Sequence, residues 1–264
     1  MFPTATHEDV PEIAVGGLPH NEMAAGYALV NTLQELSSYT DAFAASVLLF
    51  EHAGALEVAA HHAYKAAEKE RRAPGSTWRG ERGIADEHRD NSRLYREWQL
   101  LAARDAVMTL WNFGEAIIGI TDLLADMHTL KAMIGGPEAI KPVIVLYNKA
   151  FSKIGRLRNA VAHAAENTAS PRAMKGHASK GKLAAAKINN PNKIPIFIKG
   201  DLSGHTLIYS HSGKERSLEV SADSLAKMVE VRTAVYAAFL PAIEPLKAAA
   251  LTSSGEPKSA QPKE

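Results

Sequence analysis

The sequence contains no cysteine, which excludes disulfide bridges and thiolate metal sites. Aromatic residues make up only 6% of it while alanine is abundant, a balance that disfavours a β-sandwich and favours helices. Neither sign of charge dominates: 30 Lys and Arg stand against 29 Asp and Glu, so any attraction for nucleic acid has to come from a local patch. There is no uninterrupted run of 18 apolar residues, and Met1 to His20 is polar and proline-punctuated, without the apolar stretch of a secretory signal. The expectation is a cytoplasmic protein with no membrane association. Gly-rich phosphate loops and the Gly-x-Ser-x-Gly elbow are missing too, which disfavours nucleotide hydrolysis and α/β-hydrolase chemistry.

Proline is also absent from two long windows, His20 to Ala73 and Gly75 to Gly136. An interior proline costs a helix about 3 kcal/mol, so long helices are expected there. Within the first window, Leu29, Leu33, Leu36, Phe43, Val47 and Phe50 form a seam at three-four spacing, interrupted by Thr40. The second window predicts a helix from about Ile84 to Ile134. It becomes apolar on more than one face (Leu94, Trp98, Leu101, Val107, Trp111, Ile117), with Arg104, Asp105, Asn112 and Glu115 set among those residues. Gly135-Gly136-Pro137 stops one helix and starts another, expected to run from Pro137 to about Asn167.

Past Ala169 the pattern changes. Residues 170–200 carry no acid but include Arg172, Lys175, Lys180, Lys182, Lys187, Lys193 and Lys199. Short strands are expected at Ile194–Lys199, His205–His211 and Arg216–Val220, with turns at Asp201–Gly204 and Ser212-Gly213. A last helix opens at Ser221 and is expected to end before Pro241 or Pro245. The sequence is thus read as mainly α, a helical bundle with long helices and a small antiparallel β insertion before the last one. Its expected organisation is a flexible tail over 1–20, one helical domain over 21–246 with a basic loop and β insertion at 169–220, and a disordered tail over 247–264.

The chemistry concentrates in Leu157-Arg158-Asn159-Ala160-Val161-Ala162-His163. An imidazole titrates near pH 6.5 and so moves protons in either direction at neutral pH, and a guanidinium grips phosphate with a rigid fork of donors. Together they are the minimum set for cutting a phosphodiester without a metal. On a continuous helix Asn159 and His163, four apart, share a face, so the amide is placed to orient the ring; Arg158 is rotated from His163 by about 140°. One copy is a half-site, completed if a second copy faces it in a dimer. Asp105 and Glu115 are candidates to orient Arg158 from behind, against the plainer reading of core hydrogen bonds. Lys175, Lys180 and Lys182 are candidates to track RNA phosphates. Glu51, His52, Glu57, His61 and His62 lack the paired Glu-x-x-His arrangement of a di-metal bundle and read as a solvated face; no metal or cofactor is assigned.

The Arg-Asn-x-x-x-His motif at a helix end, followed by an insertion and a closing helix, resembles the HEPN superfamily, whose signature is Arg, often with Asn next, then His. The resemblance covers residues 21–245 in the order of elements, and outside the motif it is architectural. It implies a metal-independent endoribonuclease of a toxin or phage-defence system, with an antitoxin or regulatory protein as a further partner. The ribose 2′-OH attacks the adjacent phosphate in a composite site of a homodimer. Catalytic roles then fall to His163 as general acid or base, Arg158 on the phosphoryl charge, and Asn159 on His163 or the phosphate. The alternative is a non-catalytic helical dimerisation or interaction module, in which Arg158 and Asn159 are structural and His163 caps a helix.

Overall fold

The computed structural model describes residues 10–72, 82–179 and 195–254. In chain order these form helices α1 (Met23–Arg71), α2 (Arg82–Ala125), α3 (His128–Met133), α4 (Lys141–Ala150), α5 (Ile154–Ala162) and α6 (Pro171–His177). Strands β1 (Asp201–Ser203), β2 (Thr206–His211) and β3 (Lys214–Glu219) follow, and helix α7 (Ala222–Ser254) ends the described chain. The protein is mainly α, with a three-stranded antiparallel sheet, ordered β1-β2-β3, just before the last helix. The described residues cluster into two compact units. The boundaries at Asp41/Ala42, Trp111/Asn112 and Leu225/Ala226 fall inside α1, α2 and α7, where no linker composition marks them; the remaining one is at Ser152/Lys153.

The first unit holds residues 10–41, 112–152 and 226–254 of the described chain. Leu29, Leu33 and Leu36 of α1, Phe113, Ile117 and Ile120 of α2, and Val231, Val235 and Phe239 of α7 are buried in it. Thr40, the polar interruption of the α1 seam, is buried with its hydroxyl donating to the Leu36 carbonyl at 2.8 Å, so its polarity is satisfied within the helix. Glu22, only 3% exposed, accepts from the backbone N–H and hydroxyl of Thr129 and so caps the start of α3. Residues 10–20, expected in a flexible tail, are packed instead: Ile13, Val15 and Leu18 are buried, and Glu12 pairs with Lys247 at 2.9 Å. Apolar side chains at every second or third position tie this segment down despite its prolines.

The prolines of α7 also behave differently from expectation. The helix runs through Pro241 and Pro245 to Ser254, well into the region expected as a disordered tail. Both prolines are solvent-exposed, whereas Phe239, Ala242 and Leu246 on the opposite face are buried. Water can take the carbonyls that the missing N–H groups leave free, while the buried stripe continues to hold the helix together.

The second unit holds described residues 42–111 and 153–225. Phe43, Val47 and Phe50 of α1, Ala103, Val107 and Leu110 of α2, and Leu207, Ile208 and Tyr209 of β2 are buried in it. The Ser212-Gly213 turn is present, both residues at positive φ, and it sets the register Tyr209↔Arg216 and His211↔Lys214. Asp201–Ser203, expected as a turn, forms β1 instead, and the reversal falls at Gly204-His205. Gly200, at φ 84°, lets the chain cross the Tyr209 ring where a Cβ would lie 2.6 Å from the phenol.

Two expected helices are broken into shorter ones. The α2 helix stops at Ala125, and α3 follows after a break at Asp126-Met127. The single helix expected over 137–167 is cut by a left-handed residue, Lys153 at φ 72°, so the motif lies on the nine-residue α5. Ile154, Leu157 and Ala160 form the buried stripe of α5, and Gly155 lets it approach α2: a Cβ there would come within 2.6 Å of the Trp111 ring. By length and composition α1, α2 and α7 are each apolar enough to cross a membrane, with 18-residue windows of mean hydropathy 1.4, 1.2 and 1.3 that tolerate scattered charges.

Candidate functional site

The Arg158–His163 motif sits at the C-terminal end of α5 in the second unit. His163 is the residue after the last helical turn, at φ −101° and ψ 21°; its N–H still donates to the Asn159 carbonyl at 3.0 Å, but the two side chains take other partners. The Asn159 side-chain oxygen accepts from Arg158 Nη1 at 3.3 Å, so the amide positions the guanidinium rather than the imidazole. The His163 ring is held by Glu166, whose Oε2 lies 2.9 Å from Nδ1. With Nδ1 donating to that carboxylate, Nε2 of the neutral ring is the nitrogen without a proton. Arg158 is half-buried, and its Nε is buried without a hydrogen-bond partner.

Neither Asp105 nor Glu115, expected behind Arg158, hydrogen-bonds to it. Asp105 accepts from Ser46 Oγ at 2.7 Å, joining α2 to α1. Glu115 is exposed in the other unit, where its charge adds to burial in holding the Tyr147 phenol above its ordinary range. Arg104, the other charge of that stretch, donates from Nε to the buried Tyr209 hydroxyl at 3.0 Å. Asp105 and Arg104, polar residues set among apolar ones, thus serve hydrogen bonds to other elements of the same unit. Lys175 is exposed on α6; Lys180 and Lys182 lie outside the described residues.

Four basic residues that sequence reasoning did not select gather beside the motif. Arg156 and His163 are seven apart, two helical turns, and their charges act on His211 of β2. The ring of His211 stacks on His177 of α6, with centroids 4.9 Å apart and planes at 23°. His177 Nδ1 accepts the backbone N–H of Ser212 at 3.2 Å, which places its ring proton on Nε2 when it is neutral. Arg216 of β3, only 6% exposed, lies on the same face of the sheet as Tyr209 and His211; Glu215 alternates to the other face. The Nδ1 of His211 and the Nε of Arg216 are buried without hydrogen-bond partners.

The electrostatics follow from this crowding. Burial first, then His177, Arg216, His163 and Arg156 in that order, holds His211 below the usual imidazole range. Burial and then Arg156 lower Arg216 as well. The signal available in the sequence was the hairpin: two strands joined by Ser212-Gly213 put residues 209, 211, 214 and 216 on one face, and two of those are His211 and Arg216. Among the described residues no group of three or more His, Asp or Glu is placed to hold a metal ion. Glu57, from the His/Glu-rich stretch of α1, accepts from Ser92 Oγ at 3.0 Å.

No known protein family, curated protein or solved structure matches this chain.

Proposed function

We propose that the protein is a HEPN-like, metal-independent endoribonuclease of a toxin or phage-defence system, acting in the cytoplasm as a two-fold dimer. The observation that carries this reading is the end of α5, where His163 is exposed with its imidazole tethered through Nδ1 to Glu166 and the half-buried Arg158 lies five residues back. A proton leaves the ribose 2′-OH as the 2′-oxygen bonds to phosphorus. The bond from phosphorus to the 5′-oxygen breaks, and that oxygen takes up a proton, leaving a 2′,3′-cyclic phosphate and a 5′-OH. His163 serves one of the two proton transfers from Nε2. Arg158, positioned by Asn159, meets the charge that builds on the non-bridging oxygens. The test is incubation of mixed cellular RNA with chelator present: wild-type protein cuts and leaves cyclic phosphate ends, and His163→Ala does not.

A second reading, a non-catalytic helical interaction module, is favoured by a different observation. Leu48, Leu49, Val58, Leu94, Trp98 and Leu101 are all exposed on α1 and α2 of the second unit. Leu49 and Leu101 flank an apolar groove of about 530 Å³ with Ala45, Ala102 and Met108. Exposed apolar side chains in such a group mark a protein-contact surface. A full chain that leaves RNA intact under all the conditions above, yet forms a stable complex through this face, is the outcome expected of that reading.

A further inference from the structure

We propose that His177, His211, Arg216 and Arg156 form a phosphate subsite that holds the RNA strand beside the Arg158–His163 motif. The inference deepens the nuclease reading and rests on it for the identity of the strand. Three separate elements of one chain, α5, α6 and the β2–β3 hairpin, bring these side chains together. Basic groups do not gather at no cost. Arg216 is nearly fully buried, its Nε has no partner, and Arg156 acts on it as a like charge. His211 stacks on a second imidazole with its own Nδ1 buried and unpartnered.

A buried donor left without an acceptor is a cost that folding tolerates only where something else meets it. The acceptor that answers several N–H donors and several positive charges at once is an oxyanion. The phosphodiester has the tetrahedral spread of oxygens to reach a guanidinium and two imidazoles together. Glu166 is engaged with His163 at the edge of the cluster. Of the motif, His163 borders the cluster, since its charge acts on His211.

The experiment is a titration of the full-length protein with inorganic phosphate, followed by NMR of the histidine rings. His177→Asn and His211→Asn spectra assign the two signals. The expected result is a saturable shift of His177 and His211, with His61 of α1 unmoved, and a rise in the titration point of His211 when phosphate is bound. Arg156→Gln, an exposed change that leaves the fold alone, weakens binding about tenfold or more, and Arg216→Gln does the same where it folds. A short single-stranded DNA, which lacks the attacking 2′-OH and is not cut, displaces the phosphate. A linear drift of all histidines overturns the proposal. So does binding indifferent to Arg156→Gln, or DNA that fails to displace phosphate. The two readings separate cleanly. Phosphate and DNA binding without any RNA cleavage keeps the subsite and removes the nuclease; cleavage unaffected by Arg156→Gln and His211→Asn keeps the nuclease and removes the subsite.

Discussion

At the scale of single residues, each proton added to His211 meets positive charge from α5, α6 and β3, with Lys214 directly across the ladder. Its folded-state pKa is lowered from 6.5, so between the two values the unfolded chain holds more protons than the folded one. The contribution to stability is therefore fully present above about pH 6.5 and is lost as pH falls through the lower folded value. Urea midpoints measured from pH 7.5 to 5 are expected to fall, and His211→Asn to flatten that fall. A slope unchanged in the variant would rule out this assignment. For the chemistry, Arg158→Ala and His163→Ala are each expected to lower RNA cleavage about 10²–10⁴-fold with little change in melting temperature, since both side chains reach solvent at a helix end. Single-turnover assays beside a thermal melt check both halves. The residue types of the motif were legible in the sequence because guanidinium and imidazole chemistry is local. Their partners were not. Asn159 pairs with Arg158, and Glu166 with His163, because several polar neighbours lie within reach at a helix end and spacing alone does not choose among them.

At the scale of elements, α1 was legible nearly to its ends, since a proline-free window with a three-four seam leaves a chain few other choices. The break before α5 was not, because Phe151-Ser152-Lys153 carries neither glycine nor proline and Lys153 adopts positive φ without a sequence signal. What the break achieves is the seating of Gly155 against Trp111. Gly155→Ala gains about 1 kcal/mol of helix propensity but forces a methyl into an aromatic ring, which costs about 1–3 kcal/mol. Net destabilisation is expected, with a shift in tryptophan fluorescence before global unfolding; an unchanged or raised denaturation midpoint would mean the helix can move aside. The reverse sign is expected for the prolines of α7. Exposed Pro241→Ala removes a penalty of about 3 kcal/mol in the folded helix and gives back about 1 kcal/mol or less of unfolded-state entropy, so the melting temperature should rise. The sequence rule that proline ends a helix failed here through burial, which a one-dimensional pattern does not carry: the prolines face water and the stripe behind them does not.

At the scale of the whole molecule, the proposed site is composite: Arg158 and His163 of one chain are rotated from each other by about 140°, and the dimer sets the arginine of one chain against the histidine of the other. Two-fold association brings a second copy of every residue into play, since a self-complementary contact repeats each side chain about its axis. The proposed dimer therefore makes a prediction that no single-chain site shares. Arg158→Ala and His163→Ala proteins, each inactive alone, are unfolded together and refolded at equal ratio, giving mixed dimers in about half of the population. Each mixed dimer has one intact arginine and one intact histidine, on opposite chains. Recovery of a measurable fraction of wild-type cleavage is expected, rising with the proportion of mixed dimers. It should vanish when the double variant Arg158→Ala/His163→Ala replaces either partner, because that pair no longer holds both groups. Specific activity should also fall on dilution as dimers dissociate, read by light scattering on the same samples. Full wild-type activity in a protein that scatters as a monomer, with no recovery in the mixture, would place the whole reaction within one chain.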